Sequence, residues 1–300
     1  MPSDSPHEDE FGEGGPGKRL SDLRARAVIP ILSRQDPPIE DGGERSVFGF
    51  ARKLWSDPEP VASHVPRGVR VYAVGDIHGR LDLLDQLLAQ IDRDAASGAD
   101  LVKYLVFLGD YVDRGPDSAM VIERLCREPL PGFGAIHLRG NHEAAMMDFI
   151  EKPEAGPDWL EYGGRATLAS YGVPAPVEDA PPEHVDEARQ RFAAALPPHH
   201  RAFLAGLRSS VAIGDYLFVH AGIRPGLPLH RQRDEDLLWI RREFLTSHLD
   251  HGKLVVHGHT IVEQPDIRSN RIGIDTGAYA SNRLTALVLE GGERRFLCTI

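Results

Sequence analysis

The 300-residue sequence contains only two cysteines, Cys126 and Cys298. Two cysteines cannot form a disulfide framework, so a reducing compartment is the expected location. No apolar run approaches the roughly twenty residues that a bilayer-spanning helix needs. Residues 1–17 are acidic and rich in glycine and proline, and they lack the basic start and apolar middle of a secretory signal. We therefore predict a cytoplasmic protein with no transmembrane segment.

Positive charge is also scarce, since 34 lysines and arginines stand against 45 aspartates and glutamates, a net charge of -11. Stable nucleic-acid complexes need clustered Lys and Arg, so none is expected. No Gly-Lys-Ser/Thr triplet follows a glycine-rich turn, which excludes a P-loop nucleotide hydrolase. Cysteine-based phosphatases need an arginine six positions after the thiol, and Gly132 holds that position after Cys126. That class is therefore excluded too.

The apolar pattern predicts one folded domain preceded by a tail. Residues 1–66 are dominated by Gly, Pro, Ser and mixed charges, and they offer too little apolar surface to offset the entropy of ordering. Within this tail, residues 47–55 could form a short amphipathic helix. It would be either a docking or membrane-surface element or, as we favour, a segment that packs on the domain or stays partly disordered. Residues 67–300 are predicted to form the domain, with 153–208 as a helical insertion that caps the site.

The order of elements indicates an α/β fold. Strands alternate with helices in the first half of the domain, and strands dominate after residue 208. We predict two mixed sheets packed face to face, with helices on the outside.

Clusters of metal-binding or phosphate-binding residues follow the predicted strands. In the first half they are GDIHG at 75–79, GDYVDRG at 109–115 and RGNHE at 139–143. They lie roughly thirty residues apart, about the length of one strand–helix–strand unit. Such spacing brings all three to one sheet edge, where open α/β sheets bind ligands. VHAG at 219–222 and GHT at 258–260 follow strands of the second half.

These clusters supply a mixed set of potential metal ligands. The set is Asp76, His78, Asp110, Asn141, His220 and His259. Imidazoles, carboxylates and one amide oxygen suit Mn, Fe or Zn, and the set is too rich in nitrogen for calcium. Each residue alone is more often structural, such as a turn aspartate or a hydrogen-bonded core histidine. Five such clusters at five strand ends are hard to explain in that way.

The five motifs, in this order, resemble the phosphoprotein phosphatase branch of the calcineurin-like metallophosphoesterases, over roughly residues 69–300. LLWIR at 237–241 and IDTGA at 274–278 resemble the bacterial members in particular. Those members include serine/threonine protein phosphatases, the bacteriophage lambda phosphatase and symmetrical diadenosine tetraphosphate hydrolases. The resemblance implies an α/β/β/α metallophosphoesterase sandwich with a dinuclear metal site.

The resemblance also implies a role for each residue. Asp76, His78 and Asp110 would hold one divalent ion, and Asp110, Asn141, His220 and His259 the other. We expect Mn²⁺, with Fe, Zn or Ni as alternatives. A hydroxide bridging the ions would attack phosphorus in line, with His142 as general acid and Asp113 fixing its ring. Arg114 and Arg241 would clamp the phosphate oxygens.

The substrate is less defined than the reaction. A serine/threonine protein phosphatase is the first expectation, with a phosphorylated protein or a small phosphate compound as the partner. The alternatives are a hydrolase of dinucleoside polyphosphates or capped RNA 5′ ends, and a regulatory binding protein. Glu143 is predicted to orient the His142 loop or accept backbone hydrogen bonds, and His257 to be structural. The histidines predicted to be solvated are His199, His200, His230 and His251.

Overall fold

The computed structural model describes residues 63–299, and the structural statements below concern that range. The predicted 47–55 helix, and all of the predicted tail except its last four residues, lie outside it. Val65 is buried, and its backbone N–H donates to the Gly291 carbonyl at 3.0 Å. The chain is therefore already packed on the sheets at this point.

The first sheet has five strands in the order β10-β9-β1-β2-β3. They are β1 (Val69–Val74), β2 (Val102–Phe107), β3 (Phe133–His137), β9 (Thr285–Glu290) and β10 (Glu293–Cys298). β1, β2 and β3 are parallel, with Val69 opposite Val102 and Lys103 opposite Phe133. β9 pairs antiparallel with β1 on one side and with β10 on the other. The central strand β1 is buried on both faces, which explains why its sequence, VRVYAV, is apolar apart from Arg70 and the hydroxyl of Tyr72.

The second sheet also has five strands, in the order β4-β5-β6-β8-β7. They are β4 (Ser210–Ile213), β5 (Tyr216–Val219), β6 (Leu254–His257), β7 (Asp266–Ile267) and β8 (Arg271–Gly273). β5, β6 and β8 are parallel, and β4 and β7 pair antiparallel at the two edges. The predicted hairpin between β4 and β5 is present, and Gly214 adopts a positive φ of 59° there.

Three apolar layers confirm the predicted sandwich. The inner faces of the two sheets pack together through residues such as Val71, Val106 and Phe218. The outer face of the first sheet packs on long helices, and that of the second sheet packs on a smaller cluster around Phe244. The fold is therefore two mixed sheets flanked by helices.

The helices between the first strands follow their apolar faces. α1 (Leu81–Ala95) buries a stripe that includes Leu84, Leu87 and Ile91. α2 (Ser118–Cys126) buries Val121 and Leu125. The apolar pattern of this segment also predicts that Met120 faces inward, and this prediction is wrong, because Met120 is 53% exposed. Adjacent helical residues point about 100° apart, so Met120 is turned away from the face that carries Val121 and Leu125.

The 153–208 region is helical, and its path is more broken than the sequence suggested. The elements from α3 onward are α3 (Asn141–Glu151), α4 (Gly156–Trp159), a π-turn (Leu160–Gly164), α5 (Arg165–Ser170), α6 (Pro182–Ala195) and α7 (Pro198–Ala205). The sequence pattern predicts one helix across residues 159–171, but the helix breaks at Gly163, which has φ of 115°. A side chain at Gly163 would collide with Arg114, whose N–H donates to the Gly163 carbonyl at 3.2 Å. The kink thus seats this region on the GDYVDRG loop.

Three short helices and one short strand lacked a sequence signal. The helices are α8 (Asp234–Trp239), α9 (Arg242–Leu245) and α10 (Ala278–Ser281), and the strand is β7. Elements of two to six residues show too little periodicity to be recognised. Among residues 63–299, no helix combines the length and the apolar character needed to cross a membrane.

Candidate metal centre and active site

The ends of five strands meet at one edge of the sandwich and bring the predicted ligand residues together. The residues that follow the strands are Asp76 and His78 after β1, Asp110 after β2, Asn141 after β3, His220 after β5 and His259 after β6. Each of the six is at most 5% exposed. Buried polar groups in such density need partners, and the carboxyl edge of parallel strands is the place where α/β folds bind ligands.

The backbone at this edge is held in an unusual conformation. His78, Asp110 and His259 have positive φ angles of 47°, 52° and 63°. Asp113 and Arg114 follow with 73° and 70°. Non-glycine residues rarely adopt this left-handed region, and such strain concentrates at functional sites where the surrounding fold imposes it.

One group of ligand atoms centres on Asn141. Its Oδ1 lies 2.8 Å from His220 Nε2 and 2.8 Å from His259 Nδ1. Asp110 Oδ1 lies 3.4 Å from His220 Nε2. His220 Nδ1 is 2.9 Å from the Leu108 carbonyl, which fixes the proton on Nδ1 and directs the Nε2 lone pair into the group.

The other group uses the second oxygen of Asp110. His78 Nε2 and His142 Nε2 lie 3.6 Å and 3.9 Å from Asp110 Oδ2. Asp110 therefore presents one oxygen to each group, as a bridging carboxylate does. The tight sets of ligand atoms are His78–Asp110–His142 and Asp110–His220–His259. Asp76 lies beside these sets, and its Oδ2 accepts the His259 backbone N–H at 2.9 Å.

The donor set fits divalent cations. Asp76 Oδ1 and His259 Nε2 are buried with no hydrogen-bond partner among residues 63–299. Burial, together with the charges of Asp275 and Asp110, raises the pKa of Asp76. Burial lowers the pKa of His78 to about 3 and that of His259 to about 2, which keeps both imidazoles in the neutral form that binds metal. A cation would satisfy the orphaned carboxylate oxygen and stabilise the crowded acids.

His142, which belongs to the first of these sets, also forms a buried pair with Asp113. His142 Nδ1 lies 2.7 Å from Asp113 Oδ2. Although burial opposes it, the charge of Asp110 and the hydrogen bond to Asp113 raise the pKa of His142. His142 Nε2 then points toward Asp110, whose Oδ2 lies 3.9 Å away.

Two residues of the helical region complete the set of partners of Asp113, and neither carries a local sequence signal. Trp159 Nε1 donates to Asp113 Oδ2 at 3.0 Å, and Thr167 Oγ1 donates to Asp113 Oδ1 at 2.6 Å. With His142, three donors converge on one carboxylate that is 0% exposed. These contacts span 46 and 54 residues of sequence, so no local spacing could reveal them.

Glu143 fixes the loops rather than facing the ligand groups. Its two oxygens accept four backbone N–H groups, from Asp110 and Gly140 at 2.9 Å, from Tyr111 at 2.7 Å and from Val112 at 3.2 Å. Glu143 therefore ties the GDYVDRG and RGNHE segments together, which agrees with the backbone role predicted for it.

The two predicted arginines lie at the exposed side of the site. Arg114 Nη1 is 2.9 Å from His78 Nε2, and Arg114 Nη2 is 3.1 Å from His142 Nε2. Arg241 Nη1 donates to the His259 carbonyl at 3.1 Å and to Thr260 Oγ1 at 3.3 Å. One guanidinium therefore lies beside each group of ligand atoms.

Two partly exposed aromatic rings flank the site, one at each metal group. The Tyr279 ring lies 5.4 Å from the His78 ring and 4.7 Å from the Arg114 guanidinium. The Trp239 ring lies 6.3 Å from the His259 ring. Tyr279 and Trp239 are 37% and 44% exposed, which is high for large aromatic side chains.

A cavity of about 790 Å³ opens beside Arg114. Residues of the helical region, including Leu160, Arg165 and Val185, line most of its wall. Its volume lies in the range typical of sites for small-molecule ligands.

The remaining histidines divide into two kinds. His257 is buried against Phe244, with ring centroids 5.2 Å apart, and it belongs to neither metal group. The prediction that His200 is solvated is wrong, because His200 is only 3% exposed. Its neighbour His199 is exposed, as predicted.

Comparisons with known proteins agree with this geometry. The family model described as calcineurin-like phosphoesterase matches residues 69–281. The bis(5′-nucleosyl)-tetraphosphatase PrpE [asymmetrical] of Oceanobacillus iheyensis is 27% identical over 240 residues, covering 73% of this chain and 88% of the relative. The protein of the same name from Bacillus anthracis (strain CDC 684 / NRRL 3495) is 26% identical over 232 residues, covering 71% and 88%.

Among solved structures, one provisionally described as a diadenosine tetraphosphatase aligns with a TM-score of 0.54 and 23% identity. The alignment covers 80% of this chain and 95% of that chain, and it supports the shared fold. With the family model matching more than half of its length, the chain belongs to the calcineurin-like phosphoesterases and is a metal-dependent phosphoesterase.

Proposed function

We propose that this phosphoesterase hydrolyses dinucleoside polyphosphates, with diadenosine tetraphosphate as its model substrate. The observation that supports this most is the pair of exposed rings, Tyr279 beside His78 of one ligand group and Trp239 beside His259 of the other. Nucleobases stack on aromatic side chains, and each stacked base contributes about 1–3 kcal/mol. A substrate with a base at each end of a phosphate chain matches this arrangement. The tetraphosphatase names of the two relatives are consistent with it.

The proposed metal ligands are the six buried strand-end residues. His78 and Asp110, with Asp76 beside them, would hold one ion, and Asp110, Asn141, His220 and His259 the other. When bound, two divalent ions supply Lewis acidity, neutralise phosphate oxygens and generate a nucleophile from water near neutral pH. We propose Mn²⁺ as the native ion, because the mixed nitrogen and oxygen donors suit it, with Fe, Zn and Ni as alternatives.

His142 is proposed to protonate the leaving oxygen. Its Nδ1 is bonded to Asp113, and its Nε2, which lies 3.1 Å from Arg114 Nη2, would carry the proton to the substrate. Asp113 stabilises the charged imidazole, and Trp159 and Thr167 hold the Asp113 carboxylate in place. General acid catalysis of this kind typically contributes 10²–10⁴-fold.

Arg114 and Arg241 are proposed to hold phosphate oxygens. A planar guanidinium can donate two parallel hydrogen bonds to a phosphate, which Lys cannot do. In a longer substrate, the two arginines would contact different phosphates, since they stand beside different metal groups.

The test compares wild type with His142→Ala, both loaded with metal, on diadenosine tetraphosphate and on a phosphoserine peptide. We expect metal-dependent cleavage of the dinucleotide by the wild type and a loss of about 10²–10⁴-fold in the variant. Product analysis separates symmetrical cleavage, which gives ADP alone, from asymmetrical cleavage, which gives ATP and AMP. Cleavage of the peptide without cleavage of the dinucleotide would refute the proposal.

A serine/threonine protein phosphatase is the second candidate. The LLWIR segment at 237–241, which places Trp239 and Arg241 beside His259, resembles bacterial protein phosphatases. The same dinuclear chemistry would act on a phosphate monoester. The peptide arm of the experiment tests this candidate directly. A cytoplasmic location remains part of the proposal, and it is consistent with the free thiols of Cys126 and Cys298.

A further inference from the structure

A second cluster of potential metal ligands lies between α2 and α7, outside the central site. Glu123 on α2 faces His199 and His200, which are adjacent on α7. Glu123 Oε2 lies 2.7 Å from His199 Nε2 and 3.0 Å from His200 Nε2. The three ligand atoms all lie within 4.8 Å of one another. One ion could therefore be reached by all three with small side-chain movements.

The buried member of the cluster is already oriented. His200 is 3% exposed, and its Nδ1 lies 2.8 Å from Tyr171 Oη. Histidines that bind metal usually have their second ring nitrogen held by an outer partner, which fixes the tautomer and the ring plane. Without an ion, His200 Nε2 donates to Glu123 and Nδ1 accepts from Tyr171 Oη. When an ion takes the place of the Nε2 hydrogen, the ring proton would move to Nδ1, where Tyr171 Oη can accept its hydrogen bond. The outer partner that a metal site requires is thus in place.

The charges of the cluster also suit a cation. Hydrogen bonds from His199, His200 and Arg127 lower the pKa of Glu123, so it is anionic at neutral pH. Burial lowers the pKa of His200, which favours the neutral imidazole. An anionic carboxylate and a neutral imidazole are the forms that coordinate metal. The only cation bonded to Glu123 in the described residues is Arg127, which binds Oε1 through its Nε at 3.0 Å and whose side chain is 74% exposed.

We propose that Glu123, His199 and His200 form a third divalent-metal site, separate from the central pair. Two imidazoles and one carboxylate are a donor set typical of Zn²⁺, and Ni²⁺ or Co²⁺ would also be accepted. His199 is 57% exposed at the side-chain level, so a fourth position is open to solvent. The ion would join α7, the last helix of the 153–208 region, to α2.

An ion bound at this location would also affect the central site. α2 begins at Ser118, whose Oγ accepts the backbone N–H of Asp113 at 3.0 Å. The 153–208 region supplies Trp159 and Thr167 to the same aspartate. An ion between α2 and α7 would therefore tie α2, which contacts Asp113 through Ser118, to the same helical region whose α4 and α5 supply Trp159 and Thr167.

The experiment counts zinc equivalents on the full-length protein, by titration against a chromogenic chelator and by metal analysis after gel filtration. His199→Ala removes an exposed ligand, and His184→Ala removes an exposed histidine that belongs to none of the ligand clusters. We expect wild type and His184→Ala to bind one more equivalent than His199→Ala. The affinity of that equivalent should fall by at least about 100-fold in His199→Ala. Equal stoichiometry and affinity in wild type and His199→Ala would overturn the site.

Two further variants separate a metal site from a hydrogen-bonded cluster. Arg127→Ala removes the positive charge beside Glu123, so zinc affinity at this site should rise several-fold. Tyr171→Phe removes the outer partner of His200, and affinity should fall by about 10-fold. If the cluster has only a structural role, neither variant should change the affinity for zinc. That result would count against the proposal. Cobalt spectra of wild type, but not of His199→Ala, should show the additional low-symmetry Co²⁺ band.

Discussion

The two halves of the central site are built in different ways. The ligand half is made of residues that directly follow strands, and its backbone is held in left-handed conformations at His78, Asp110 and His259. The other half, called the acid half below, contains the proposed general acid His142 and its partner Asp113. Asp113 lies on a loop and is held by Trp159 and Thr167 from helices far along the chain. The first half depends on the two sheets, and the second depends on the 153–208 region. Under the proposed roles, the site would need both parts of the fold, the sheets to hold the ions and the 153–208 region to hold the partner of the general acid.

The largest effect should come from Asp110, because it presents an oxygen to each ligand group. Asp110→Asn should lower kcat by about 10⁴-fold or more, since several kcal/mol of charge stabilisation depend on the ions. Metal analysis should show that the central ions are lost. Asp117→Asn, at an aspartate outside the ligand groups, serves as the control and should keep both metal and activity. Full metal content in Asp110→Asn would argue against the proposed bridging role.

The acid half should respond in activity without losing metal. Asp113→Asn should lower kcat for diadenosine tetraphosphate by about 100-fold, since the charged His142 loses its carboxylate partner. With 4-nitrophenyl phosphate, whose leaving group needs no proton, the loss should be much smaller. Steady-state kinetics on both substrates, beside metal analysis, measure this difference. Equal losses on the two substrates would mean that Asp113 does not act through the acid.

A smaller effect is expected from the helical contacts to Asp113. Thr167→Val removes one hydrogen bond to the carboxylate and should lower kcat by about 5-fold, with little change in KM. Thr299→Val provides a matched control, because Thr299 is also buried and hydrogen-bonded but lies outside the site. Thermal unfolding should show similar destabilisation of the two variants, and only Thr167→Val should lose activity. A loss of activity in both would assign the effect to stability.

The last prediction concerns stability and not activity, at His137, a histidine at the end of β3 that joins neither half. Its ring stacks on Phe107 at 5.0 Å, its Nε2 is buried without a partner among residues 63–299, and burial lowers its pKa to about 4. The ordinary pKa of an unfolded histidine is about 6.5. Between pH 6.5 and 4 the unfolded state therefore binds a proton that the folded state does not, so the free energy of unfolding falls as the pH falls.

This linkage can be measured with His137→Phe, which keeps the stacking and removes the titrating group. We expect the wild type to lose on the order of 2 kcal/mol more stability than the variant between pH 7 and pH 4. Urea unfolding at several pH values, on protein without added metal, gives both curves. Parallel curves would show that His137 does not contribute to acid sensitivity.

The same division explains how much of the site the sequence could predict. Glycine, aspartate and histidine directly after apolar runs identify the strand ends, and parallel strands then bring them together. The sandwich followed from the order of the elements. The contacts of Trp159 and Thr167 with Asp113 have no such pattern, because helical residues reach the site through packing between distant segments. His200 was misjudged for the same reason: its polar neighbours in sequence suggested solvent, whereas Tyr171 and Glu123 enclose it in the fold.

The kink at Gly163 bears on how far this enzyme can be re-engineered. Because the turn fits against Arg114 and leads on to Thr167, the helical region is not an interchangeable module. A chimera that replaced residues 153–208 with the corresponding part of a relative would also have to transplant the glycine, the tryptophan and the threonine in register. Without them, the chimera would gain a different cavity wall, but Asp113, the partner of His142, would lose contacts that hold it. Directed evolution of specificity should therefore begin at the residues that line the cavity and leave the kink at Gly163 unchanged.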